Sequence, residues 1–385
     1  MKINRRNFLK TTLFTSLYFA GFGFPANANF SKKKNLVIIM LRGGMDGLCT
    51  LPLKNNSEFD SLRSSINLNQ NLNLTSDFNL HPSLKNFHTL WNLNQAAAVH
   101  ATSIPYTGRS HFDGQNLMET GSKTPYKIKT GWLGRGMNLA NLNSRGLALS
   151  LPIPLILRGS GQHDNYFPAK GKLPNEKVIK TLKEIYNDSS EKELSSIIDI
   201  ISQRTSMSNY SEISNDNHSL AIEGGKILKN INGPRVAVFE VNGFDTHASQ
   251  SDMDGGYQEC LDETDKIIKG LKISLGNEFN NTLILTLTEF GRTVNQNNSD
   301  GTDHGYGTAI LMSGGLIKKS QILTNWPGIS KKDRFQGRDL NSTIDARSIY
   351  ASAMSSVFDI EFGKVKQEVF WGENLQDFSD KLFSS

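Results

Sequence analysis

The sequence predicts an α/β protein built on a mostly parallel sheet covered by helices. Three observations lead there. Residues 36–41 (LVIIML) are an unbroken apolar run of strand length, closed by Arg42, Gly43 and Gly44, which is the pattern of a strand buried on both faces. Similar runs alternate along the chain with segments of helical periodicity, and such alternation is the mark of a parallel sheet with crossover helices. Acid and histidine motifs then stand just after several of these runs, where the loops of an open α/β sheet line a ligand-binding crevice.

At the N-terminus, Asn4, Arg5, Arg6, Asn7, Phe8, Leu9 and Lys10 form a basic region with a twin-arginine signature. The apolar run that follows, residues 13–24, is too short to span a bilayer. Pro25 and the small-residue site Ala26, Asn27, Ala28 end it, so residues 1–28 read as a removable export signal, with an uncleaved anchor as the alternative. The expected location is periplasmic, or otherwise exported through the twin-arginine machinery, with no stable membrane span.

Beyond the signal, the strand-like runs are residues 36–41, 96–100, 149–157, 236–241, 282–287 and 308–312. Helical stretches fall between them at residues 83–92, 110–120, 132–142, 176–186 and 257–275, the last with Leu261, Ile267, Ile268 and Leu271 near helical spacing. Two regions break the alternation. Residues 55–79 are rich in Asn and Ser, and residues 189–218 are polar; both read as surface excursions, the second alternatively as a helical cap over the crevice. No repeat or linker marks a boundary, so residues 29–385 are expected to form a single domain with a substantial core.

Charge excludes one class of function. The chain carries +5 at pH 7, but residues 1–28 hold Lys2, Arg5, Arg6 and Lys10 with no acid, which leaves +1 for the remainder. The pI of about 9.0 therefore overstates its basicity. No dense Lys/Arg stripe interleaved with aromatics occurs, and nucleic-acid binding has no support. Cys49 and Cys260 are the only cysteines. One disulfide is possible in an oxidising compartment, but two isolated cysteines are neither a disulfide framework nor a CxxC metal site, and both read as buried small hydrophobes.

Chemistry concentrates in a few motifs. NGFDTHAS (242–249), LTEFGRTV (287–294) and GTDHGYG (301–307) gather Asp245, His247, Glu289, Asp303 and His304, and carboxylates with imidazoles are what borderline divalent metals choose. Asp46 follows the first strand in RGGMDGL (42–48), where glycines let the backbone come close to a ligand. For each motif the plainer reading is a hydrogen-bonded turn. In GRSHFDGQNLMETG (108–121), Ser110 stands where a helix begins and has an ordinary use as an N-cap. A helix N-terminus beside Arg109 is also an anion site, and the alternative reading has Ser110 as a metal-activated nucleophile and His111 as a ligand or proton donor. His81, His88, His100, His163 and His218 are scattered and read as structural or surface residues. GRDL (337–340) and Asp345 with Arg347 read as salt-bridged supports.

These motifs, with TGWLGRG, WPG at 326–328 and GRDLNSTIDAR, resemble those of a bacterial family described as domain of unknown function 1501, over nearly the whole chain after the signal. That family is similar to the alkaline phosphatase and sulfatase superfamily. The resemblance implies a doubly wound α/β sandwich with one or two metal ions at the C-terminal strand ends. It implies Asp46 as a first-strand ligand, Ser110 near the nucleophile position, Asp245 and His247 as a second ligand set, and Glu289 with His304 completing the cluster. Two departures stand out: Glu289 and Phe290 replace the usual Asp-His pair, and Ser110 lacks the Cys-x-Pro-x-Arg context of sulfatases. The expectation is an exported hydrolase acting on a small anionic phosphate or sulfate ester. Its catalytic residues would be Ser110, Arg109 and His111, and its ligands to Zn²⁺, or to Ca²⁺, Mg²⁺ or Mn²⁺, would be Asp46, Asp245, His247, Glu289, Asp303 and His304. The alternative, which Phe290 favours, is a non-catalytic exported binding or partner protein that keeps the fold.

Overall fold

The computed structural model describes residues 33–66, 70–142, 146–150, 152–159, 163–165, 176–186, 216–250 and 256–384. Its strands are β1 (Asn35–Arg42), β2 (Leu72–Asn73), β3 (Asn79–Leu80), β4 (Ala96–Ser103), β5 (Gly146–Ala148), β6 (His163–Asn165), β7 (Val236–Asn242), β8 (Thr282–Leu287), β9 (Thr308–Ser313), β10 (Ile322–Leu323) and β11 (Ile344–Asp345). Its main helices are α1 (Gly47–Thr50), α2 (Ser57–Leu62), α3 (Lys85–Asn92), α4 (His111–Thr120), α5 (Trp132–Leu139), α6 (Glu176–Tyr186), α7 (Asn217–Lys229), α8 (Gly256–Leu275) and α9 (Ala346–Phe358).

Nine strands form one sheet in the order β10-β4-β9-β8-β1-β7-β5-β6, with β11 also paired to β4. β1 lies at its centre, parallel to β7 on one side and to β8 on the other. Within this sheet, among the described pairings, only those of β9 are antiparallel; β2 and β3 form a separate antiparallel pair. The apolar run of β1 explains its place: Leu36, Ile38 and Met40 enter one core and Val37, Ile39 and Leu41 the other, all fully buried. Each such side chain contributes about 2 kcal/mol by leaving water. α4, α5 and α9 cover the first face through residues such as Met118, Trp132 and Met354. α3, α7 and α8 cover the second through Phe87, Leu228 and Leu261. The result is the expected helix-covered, mostly parallel sheet.

Four details depart from the sequence expectations. The described residues among 149–157 form no strand; β5 lies just before them, and Pro152 and Pro154 lead into a 3₁₀ turn at Leu155–Leu157. Residues 55–79 are more than a surface excursion, because Phe59 and Phe78 are buried and Arg63 is only 1% exposed. The polar stretch ends sooner than expected, since Asp216 accepts from the Ser219 amide and caps α7, which already contains His218. α9 had no expectation at all. Residues 1–32, where the export signal is expected, and residues 187–215 lie outside the described residues. Among the described residues no helix is long and apolar enough to cross a membrane.

Candidate metal centre

One edge of the sheet collects the acid and histidine motifs. The parallel strands β8, β1 and β7 deliver Glu289, Gly43 and Asp245 at their C-terminal ends. β9 runs the other way, so the loop before it returns His304 to the same edge. β4 is antiparallel to β9, so its C-terminal end and the N-terminus of α4, with His111, arrive there too. Gly43 lies at φ +116, and a Cβ on it would meet the Asp245 amide at 2.5 Å. A glycine is needed there for both reasons.

Three imidazoles face one another across Asp245. Nε2 of His111 and of His247 lie 2.9 and 3.0 Å from Nε2 of His304. Asp245 Oδ1 is 3.0 Å from Nε2 of both His304 and His247, and Oδ2 is 3.2 Å from Nε2 of His111. The opposite nitrogens are all committed. Nδ1 of His304 is 2.9 Å from the carbonyl oxygen of Arg109, which can only accept. Nδ1 of His111 is 2.9 Å from Glu289 Oε1, and Nδ1 of His247 is 3.1 Å from Asp303 Oδ1. In each neutral ring Nδ1 then carries the proton and donates, so Nε2 presents its lone pair. Three lone pairs and a carboxylate at this spacing repel one another unless a proton or a cation lies among them. They also form the donor set of a zinc site, whose tetrahedral ligand atoms stand about 3.3 Å apart, with the histidine–carboxylate pairs that orient metal ligands. The residues present therefore fit a divalent metal. His111, Asp245 and His304 offer atoms all within 4.8 Å of one another, and His247 adjoins two of them.

The electrostatics agree. Burial works to raise the Asp245 pKa, but the Arg292 guanidinium at 2.6 Å and the neighbouring histidines outweigh it and hold the carboxyl down at about 2. Burial likewise pushes against ionised Glu289, yet hydrogen bonds from His111, Gln115 and the Gly43 amide keep its pKa below the usual carboxylate value. His111 is raised, chiefly by its bond to Glu289. His304 is lowered, first by burial, with the charges of His111 and Arg292 acting the same way.

The expected ligands thus divide into two layers. Asp245, His304 and His111 face the centre, with His247 at its more exposed side. Glu289 and Asp303 stand behind His111 and His247 and orient them instead of facing inward. Asp46 does not join them. Its carboxylate is buried, paired with Arg63 at 2.6 and 3.1 Å, bonded to Gln250 at 2.8 Å, and caps α1 through the Leu48 and Cys49 amides. Arg109 also departs from the expected anion fork: Nε and Nη2 are held by Asp339 at 3.1 and 2.6 Å. Ser110 occupies the N-cap of α4 but makes no side-chain capping bond. Phe290 is buried against the rings of His111 and His304, with centroids 4.8 and 5.1 Å away, so it is an apolar backing for two imidazoles. Cys49 and Cys260 are both free and buried, and burial pushes their thiols up to about 12 and about 11.

Several contributing residues had no such role in the sequence reading. Arg292, fully buried, donates to the carbonyls of Gly43, Gly44, Phe244 and Thr302 as well as to Asp245, and so ties three loops together. Its place three residues after Glu289 was the available signal. Arg63 sits in an Asn- and Ser-rich stretch that gave none.

The fold and the site together define an α/β protein with a histidine–aspartate centre at the C-terminal edge of its parallel strands. The chain belongs to the family described as protein of unknown function DUF1501, whose sequence model matches residues 94–351. No curated protein matches it. Among solved structures it is similar to Ps i-CgsB, at 11% identity and a TM-score of 0.45 over 91% of this chain and 76% of that one. It is similar to the C-terminal periplasmic domain of EcEptC from Escherichia coli, at 10% identity and 0.40 over 90% and 88%. A protein in the alkaline phosphatase superfamily from Vibrio parahaemolyticus matches at 10% identity and 0.37 over 74% and 60%.

Proposed function

We propose that this protein is an exported metal-dependent hydrolase of phosphate or sulfate esters, with a divalent ion, Zn²⁺ foremost, held by His111, Asp245 and His304 and adjoined by His247. The observation that carries the reading is the convergence of three Nε2 lone pairs on one carboxylate while every Nδ1 is committed elsewhere. A divalent ion bound there lowers the pKa of a bound water or hydroxyl and neutralises charge on the group being transferred. The protein's own part is to fix the ligands through Glu289, Asp303 and the Arg109 carbonyl, and to keep the backing of the site dry with Phe290. Ser110 is the nucleophile in this reading, since its hydroxyl is not spent on capping α4 and the next residue is His111. Export rests on the twin-arginine segment at residues 4–10 and is part of the proposal.

The test begins with elemental analysis of protein purified without chelators. About one divalent ion per chain is expected in wild type, with little or none in His304→Ala, because His304 touches every other donor. Turnover of aryl phosphate and sulfate esters by the loaded protein should then vanish in Ser110→Ala. Equal metal in wild type and His304→Ala would remove the metal centre. A loaded but inactive wild type would favour the second reading, a binding protein, which the closure of the Arg109 fork by Asp339 supports.

A further inference from the structure

We infer that Asp339 is the positioning residue for His304, acting from both sides of that residue without touching it. This rests on the metal-centre reading above for its consequence, though not for its geometry. Asp339 is fully buried. One carboxylate oxygen, Oδ2, takes Nη2 and Nε of Arg109 at 2.6 and 3.1 Å. The other, Oδ1, takes Nε of Arg338 at 2.7 Å. Each arginine then reaches His304 by a different route. The backbone carbonyl of Arg109 accepts from His304 Nδ1 at 2.9 Å, and Nη2 of Arg338 donates to the carbonyl oxygen of His304.

The Arg109 route needs the carboxylate most. Arg109 adopts φ +57, a left-handed conformation uncommon for a residue other than glycine. Its charged bonds to Asp339, with a further one to Gln336 at 2.8 Å, anchor the side chain while the backbone turns its carbonyl toward His304. That carbonyl selects the Nδ1–H tautomer and so decides that Nε2, 2.9 Å from the ring of His111, offers a lone pair. Asp339 itself is fixed by backbone bridges to Thr293 and Phe335, so the clamp is tied to the same loop that carries Arg292. In the sequence Asp339 stands 35 residues after His304, inside GRDL, and nothing there relates the two.

The test uses Asp339→Asn, which keeps the shape and removes the charge. Arg109→Ala is the second variant, because it removes the Arg109 anchor while keeping a backbone carbonyl at that position. Two readouts are taken on the full chain. The first needs no metal: long-range ¹H–¹⁵N spectra of the imidazoles in chelated protein, where His304 should be a single Nδ1–H tautomer in wild type and a mixture in both variants. The second is Zn²⁺ titration, with the visible spectrum of the Co²⁺-loaded protein. Affinity should fall about 10- to 100-fold in each variant, the Co²⁺ bands should change, and the double variant should be no worse than the poorer single one. Wild-type tautomer and wild-type affinity in a folded Asp339→Asn protein would overturn the inference, as would additive losses in the double variant. If Asp339→Asn does not fold, the tautomer of Arg109→Ala decides. A wild type that binds neither ion defeats the metal reading alone, because the tautomer experiment still tests the clamp.

Discussion

His304 meets His111, His247, Asp245 and the Arg109 carbonyl at once, and this makes the direction of one hydrogen bond decisive for the whole centre. Asp46 shows the opposite outcome for an acid at a strand end. It is enclosed with Arg63 at 1% exposure on both sides, and Arg63 also donates to the carbonyls of Thr293 and Val294. The pair therefore locks the loop after β1 to the loop after β8 from beneath. Its cost when broken is set by the charge left behind, because an unpaired buried carboxylate has no solvent to turn to. Arg63→Met, which preserves most of the volume, should lose about 3–5 kcal/mol in urea unfolding. A loss below about 1 kcal/mol, the level of an exposed pair, would show that water reaches Asp46.

At the scale of elements, the turn after β1 governs how closely the loops of β1, β7 and β8 can gather. Gly43 has its amide on Glu289 and its open side against Asp245, so Gly43→Ala strains the backbone and pushes on the ligand loop together. A destabilisation of about 1–3 kcal/mol is expected in thermal unfolding, with a parallel fall in Zn²⁺ affinity; unchanged affinity would separate the turn from the site. The same scale shows what the sequence could and could not tell. Strands such as β1 and β8 were legible because both their faces are apolar, and α6 and α8 because one face is. α9 was not, since nearly every residue from Ala346 to Phe358 is buried and no polar stripe marks a period. The site residues were legible as types placed after strands. Their division into inward-facing and supporting groups was not, because spacing along the chain says nothing of whether Glu289 meets an ion or a histidine, or that Asp46 meets Arg63.

For the whole molecule, the two cores differ in what they bury. The face under α3 and α8 and the edge beside it hold His81 and His100 without a carboxylate partner, and burial pushes each down to about 4. Above pH 6.5 both are neutral whether the chain is folded or not, and pH has no hold on stability through them. Below it the unfolded chain takes up protons that the native state refuses, so stability falls until about pH 4 is reached, by about 3 kcal/mol for each histidine. His111 acts in the reverse sense: raised by Glu289, it contributes stability below pH 6.5 that is lost as the pH rises through its folded value. Glu119 and Asp265, raised by burial, offset part of the loss further down. The lowered carboxylates Asp245, Glu289 and Asp303 add to it only at still lower pH. The net expectation for chelated protein is a urea midpoint that drops between pH 7 and pH 5, with the buried pair outnumbering His111. His81→Gln should make that drop shallower by up to one proton's worth, about 1.4 kcal/mol per pH unit. A variant with the wild-type slope would mean that His81 is protonated in the native state, and that the core beneath α1 and α3 is wetter than its burial implies.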